Sequence, residues 1–161
     1  MIQPSIQFAD RSGAYCGQLA LTPNYEILMG DRGLRRNEAV KAITFGARGS
    51  VFTSAVEGPL LQDGPEPTLQ HGAPVRVTQQ SRGDAVLGQF AYPLEKIFTE
   101  PDGSSTHPPD TGVPAILAYP GDSSRYLVLE RTWVSGAGFK IRLFDATTRG
   151  ATDGQHIDSL N

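Results

Sequence analysis

A single cysteine, Cys16, stands among 161 residues, which excludes an internal disulfide and any metal site built from several thiolates. Its setting, AYCGQLAL, reads as a half-buried strand in which the thiol serves as a small apolar filler. Histidine is scarce as well. His71, His107 and His156 fall in turn-rich, exposed segments, and no H-x-x-x-H spacing points to zinc. The sequence has no apolar run near the roughly 18 residues that span a bilayer. Its opening, MIQPSIQFAD, carries neither the basic nor the apolar region of a signal peptide. Charge is modest, with a formal net value of -3. Basic residues gather only at Arg32, Arg35 and Arg36, without interleaved aromatics, so neither nucleic acid nor membrane is expected as a partner. No G-x-S-x-G elbow, P-loop or dinucleotide fingerprint occurs, and the segment around Asp102 and Asp110 lacks the EF-hand pattern. Serine-hydrolase and nucleotide-dependent chemistry therefore have no motif to rest on.

Turn residues are plentiful, with Gly 18 and Pro 12, and apolar strands recur between them. GQLAL turns through TPN into YEILMGDRG, VKAITF through GARG into SVFTSAVEG, and AILAY through PGDSS into RYLVLERTW. Each pair closes on an acid, ten to twelve residues after the last apolar position of the first strand: Leu21 to Asp31, Phe45 to Glu57, Tyr119 to Glu130. That spacing is an internal repeat. The middle unit continues through PVRVTQQ and GQFAYPL, and the third through FKIRLFDA. Four strands and a long loop describe a propeller blade. The expected fold is all-β and partial β-propeller-like, with two to three antiparallel blades in one domain over 1–161. Residues 1–36 form a truncated first unit, 37–98 a complete blade, and 110–161 a blade without its last strand. LQDGPEPTLQHGAP and FTEPDGSSTHPPDTG are long polar surface connections.

YLVLERTW poses its own problem. Alternation sends Tyr126, Val128 and Glu130 to one face, and Leu127, Leu129 and Arg131 to the other. A strand apolar on both sides reads as buried on both sides, where adjacent charges need partners.

Taken in order, VEGPLLQDG, GAPVRV, AYPL, YLVLER, KIRLFDA and GATDG…DSL resemble the phytase-like, or esterase-like, domain of bacterial proteins over residues 30–161. SGAYCGQLALTPNYEILMGDRG resembles that family's opening blade. The resemblance implies a β-propeller, a periplasmic or secreted location, and a hydrolase acting on ester bonds. Three positions depart from the pattern, two of them lost acids. NEAVKAITF has Ala39 for a Gly and Lys41 for a Glu, and GVPAILAY has Ala115 where relatives carry a Glu.

Asp31, Glu57 and Glu130, at equivalent places in a ring, could converge on a hard cation, and calcium suits such oxygen ligands. On the enzyme reading Glu57, Glu130 and Arg131 are the catalytic candidates. Arg32, Asn37 and Arg131 are the candidates for binding a small anionic or ester substrate. The family-based expectation is a divalent-metal-assisted ester or phosphoester hydrolase. Two alternatives stand beside it: a non-catalytic propeller-like binding or assembly module, in which the acids pair with arginines between blades, and a degenerate remnant. An open propeller leaves apolar faces uncovered, so a homo-oligomer or a place in a larger propeller is expected.

Overall fold

The computed structural model describes residues 3–28, 30–103 and 106–161. Met29, in the second strand expected of the first unit, and Ser104–Ser105, in the second long loop, lie outside the described residues. The chain is all-β, and the described residues contain only short 3-10 turns besides strands. Strands β1 (Ile6–Ala9) and β2 (Tyr15–Leu19) form a two-stranded antiparallel sheet. Strands β3 (Val40–Gly46), β4 (Val51–Val56), β5 (Ala73–Ser81) and β6 (Val86–Leu94) follow one another across a four-stranded sheet. Strands β7 (Asp110–Tyr119), β8 (Asp122–Val134) and β9 (Gly138–Thr147) make a three-stranded one.

Tight turns join each sequential pair within the four- and three-stranded sheets except β4 and β5, which residues 57–72 connect. Between β5 and β6, Asp84 takes a φ of 68, and the Ser81 hydroxyl accepts from the Gly83 and Ala85 amides, each at 3.2 Å. Asp tolerates this left-handed conformation better than most residues.

The first unit differs from the sequence expectation. YEILMGDRG contributes no strand among its described residues, and the partner of β2 is the preceding segment β1. Pro23 opens a 3-10 turn that swings Tyr25 inward, where its hydroxyl lies 2.7 Å from Thr78 Oγ1. Burial raises the Tyr25 pKa to about 12. Cys16 is exposed, not half-buried, because β2 lies at the surface with only Leu19 fully covered.

The four-stranded sheet is covered on both faces. Thr53 and Gln79 look toward the three-stranded sheet: Thr53 Oγ1 is 3.2 Å from the Tyr126 hydroxyl, and Gln79 donates to the Ser123 carbonyl at 2.7 Å. Between these sheets lies the main core, with Ala55, Val77 and Tyr92 on one side and Ile116, Tyr126 and Val128 on the other. Phe52, Arg76, Thr78 and Gln80 look the opposite way, by alternation. Phe52 packs with Ile6 and Leu19 of the small sheet.

Arg76 is fully buried on that second face. It forms a two-point ion pair with Asp63 (2.6 and 2.7 Å) and donates to Gln89 at 2.6 Å. The segment after β9 crosses back to finish this network. The Gly154 and Asp158 carbonyls each accept from Arg76 at 3.3 Å, and the Leu160 amide donates to Asp63 at 3.0 Å.

Candidate functional site

Two arrangements grow out of the junction between the larger sheets. The first centres on Glu57, which follows β4 and is 2% exposed. Its carbonyl accepts from the Val113 amide at 2.9 Å, fastening β7 beside β3. Gly112 makes room for it, since a Cβ there would stand 2.3 Å from Glu57 Cγ. Arg131 lies opposite Gly112 in the β7–β8 register, and its guanidinium is 3.3 Å from the Glu57 carboxylate. Lys41 pairs with the other carboxylate oxygen. The β3–β4 register slips at Lys41 and the β7–β8 register slips between Gly112 and Ala115. Such bulges re-aim a side chain. Lys41 and Ala115, the two places where the family pattern expects an acid, thus sit at irregularities of their strands.

The second arrangement lies on the other face of β8. Glu130 is fully buried and opposite Arg142 of β9. The Tyr92 hydroxyl donates to Glu130 Oε1 at 2.9 Å, and the Glu95 amide donates to the same oxygen at 3.3 Å. Arg142 Nη2 lies 3.2 Å from Glu130 Oε2, yet neither atom has an aligned hydrogen bond, so the contact is Coulombic. Burial pushes the Glu130 pKa above the ordinary carboxylate value, against the opposing pull of Tyr92, the Glu95 amide and Arg142. Burial, and then the bond to Glu130, likewise raise that of Tyr92. Glu130 and Tyr92 line a cleft of about 300 Å³ between the sheets, walled by apolar groups such as Phe90, Ile116 and Phe144.

The opening problem of YLVLERTW resolves here. Arg131 crosses to the neighbouring sheet through Glu57, while Glu130 takes its cation from its own sheet and its hydroxyl from the neighbour.

The remaining candidates are dispersed. Asp31 is exposed. Arg32 is bound in two places by Asp158, with Nη1 at 2.9 Å from Oδ2. Asn37 is exposed with a φ of 67, at the edge of a separate groove of about 670 Å³. Among the described residues no group of three or more His, Cys, Asp or Glu is placed to hold a metal ion. With the Glu57 carboxylate already between Lys41 and Arg131, the donor set of Asp31, Glu57 and Glu130 does not fit calcium. The three histidines are exposed.

Sequence reasoning missed Tyr92, Glu95 and Arg142. AYPL and KIRLFDA were visible as motifs, and Arg142 shares its strand face with Phe144, a setting that calls for an acid opposite. Which acid depends on how two sheets meet, and spacing does not carry that. Glu38 was missed too. Its carboxyl meets that of Glu66 in the separate groove, and burial followed by this contact raises its pKa to about 8.

Compared with known protein families, residues 2–161 match the phytase-like family, described as esterase-like activity of phytase. No curated protein and no solved structure matches the chain.

Proposed function

As this chain belongs to the phytase-like family, whose description is esterase-like, we propose that it hydrolyses a small ester in the cleft between its larger sheets, with Glu130 as general base. The family supplies the reaction class. One observation carries the location: a buried carboxylate, with its pKa raised and its orientation fixed by Tyr92, lines an apolar cleft. Perturbed acids in clefts are physically suited to proton transfer near neutral pH.

In this reading ionised Glu130 takes a proton from water as the water oxygen bonds to the ester carbonyl carbon. The bond to the alkoxide then breaks, and the proton passes from Glu130 to the leaving oxygen. Tyr92 and the Glu95 amide hold the carboxylate in place, and Arg142 favours its ionised form. The step uses no metal, since Glu57 is engaged by Lys41 and Arg131. Arg131 serves as an intersheet tie in this reading, not as a catalytic group. We read the four- and three-stranded sheets as successive propeller-like blades, and the two-stranded sheet as a truncated one. The sequential strand order and the lateral meeting of β3 with β7 support this.

A binding or assembly module is the second reading, favoured by the same Lys41–Glu57–Arg131 tie. Assays on short-acyl and phosphate esters, with calcium and with chelator, separate the two. On the hydrolase reading acyl-ester turnover is indifferent to chelator and rises with pH as Glu130 ionises. Glu130→Gln keeps the melting temperature within a few degrees but cuts turnover by roughly 10²–10⁴-fold. No turnover from a folded wild-type sample leaves the binding module.

A further inference from the structure

The outer face of the three-stranded sheet carries an apolar surface that no part of the described chain covers. Alternation along β9 turns Arg142, Phe144 and Ala146 inward, opposite Glu130, Val128 and Tyr126, and turns Phe139, Ile141 and Leu143 outward. Those three are 65%, 62% and 65% exposed, and Leu117 of β7 adds 61%. Leu127, Leu129 and Trp133 of β8 lie between them on the same face, half-buried. A contiguous apolar surface on this scale marks an interaction site.

We infer that this face packs against the same face of a second copy of the chain, making a two-fold sandwich of two three-stranded sheets. Charge selects the occupant. The central ionic groups of the face are matched within the chain, Arg125 with Asp145 and Arg131 with Glu57, while Asp110, opposite Trp133, lies exposed at the rim on the edge strand β7. Away from that rim a charged partner would meet only cations and acids already paired, whereas an identical apolar face can be laid over the centre of the patch, leaving both Asp110 carboxylates in solvent at its edges. Size fits as well. About ten residues at ~3.3 Å and three strands at ~4.8 Å give a footprint of roughly 475 Å² a side. Side chains standing from it enlarge the accessible surface, so two copies together reach the floor of about 1,000 Å² for specific interfaces. The resulting dimer sits at the weak end of that class. Sheets packed this way lie about 10 Å apart with strands within about 30° of alignment.

Sedimentation equilibrium of the full chain across roughly a hundredfold range of concentration tests the assignment. The mass is expected to pass from monomer to dimer, while the fluorescence of Trp133, the sole tryptophan, shifts to the blue as the face dries. Leu143→Lys, at an exposed position, should remain monomeric with an unchanged circular dichroism spectrum and melting temperature. Ile141→Glu serves as a second, independent variant if the first fails to fold. A wild type that stays monomeric throughout overturns the inference, as does a Leu143→Lys protein that still dimerises. Open-ended growth beyond a dimer overturns it too, because it would mean that the face meets a different patch or that the β9 edges pair.

Discussion

Asp63→Ala is expected to lower stability by about 3–5 kcal/mol, the typical cost of stripping one partner from a buried ion pair. Arg76 and Asp63 are both fully buried and joined at two points. With the carboxylate gone, the guanidinium would keep Gln89 and two carbonyls but no counter-charge. Against the usual total of about 5–15 kcal/mol, a loss of that size leaves much of the protein unfolded at modest denaturant concentration. Urea titration followed by circular dichroism measures it directly. The paired replacement Asp63→Leu, Arg76→Met removes both charges and should recover most of the loss, because a matched apolar pair avoids desolvating either ion. If Asp63→Ala alone cost under about 1 kcal/mol, the network would not be the anchor described.

Alkaline pH should weaken the protein through Glu38. Its pKa rises from an ordinary 4.5 to about 8, chiefly by burial, then by the Glu66 carboxyl beside it, with Asp110 adding repulsion and Arg35 opposing. The folded state therefore holds a proton that the unfolded chain releases near 4.5. Between those two values the native protein binds more protons, so stability falls as pH rises through the window and levels off above it. The carboxyl is only half-buried, and solvent screening reduces the effect to about 1–2 kcal/mol. Melting temperatures from pH 5 to pH 9 should decline in the wild type and flatten in Glu38→Gln, which keeps a hydrogen-bond donor for Glu66. An equal slope in both proteins would assign the pH effect to other groups.

Much of the architecture was legible because local signals agreed. In the middle unit VKAITF, SVFTSAVEG, PVRV and AYPL became β3 to β6, and in the third AILAY, RYLVLERTW and FKIRLFDA became β7 to β9. In each of these units, apolar segments flanked turns made of Gly, Pro and Asp. The first unit misled because β2 pairs backward with IQFA, a segment not read as a strand, while Pro23 opens a 3-10 turn that takes in Tyr25 where a second strand was expected. YLVL was read as buried on both faces. One face is, and the other is half-covered, since a strand's pattern records what it can pack against and not which chain supplies the cover.

The site was legible one residue at a time. Glu57, Glu130 and Arg131 stood out as charges ending apolar strands, and Glu57 does meet Arg131. Their grouping was not legible. Alternation on β8 did separate Glu130 from Arg131, but a shared axis for three acids assumed equivalent surroundings, whereas Lys41 reaches Glu57 through a bulge and a second slip brings Gly112 beside it. One-residue slips of this kind leave no trace in spacing.

The segment that returns from β9 to Arg76 has a consequence for how the molecule comes apart. Gly154 and Leu160 are tied to strand β6 and to Asp63, so the four-stranded sheet cannot open on that face without releasing residues that follow the three-stranded one. The two sheets also share a core. Local opening is thereby converted into global opening, and amide protons in β5 and β8 should exchange with the same free energy, as one cooperative unit.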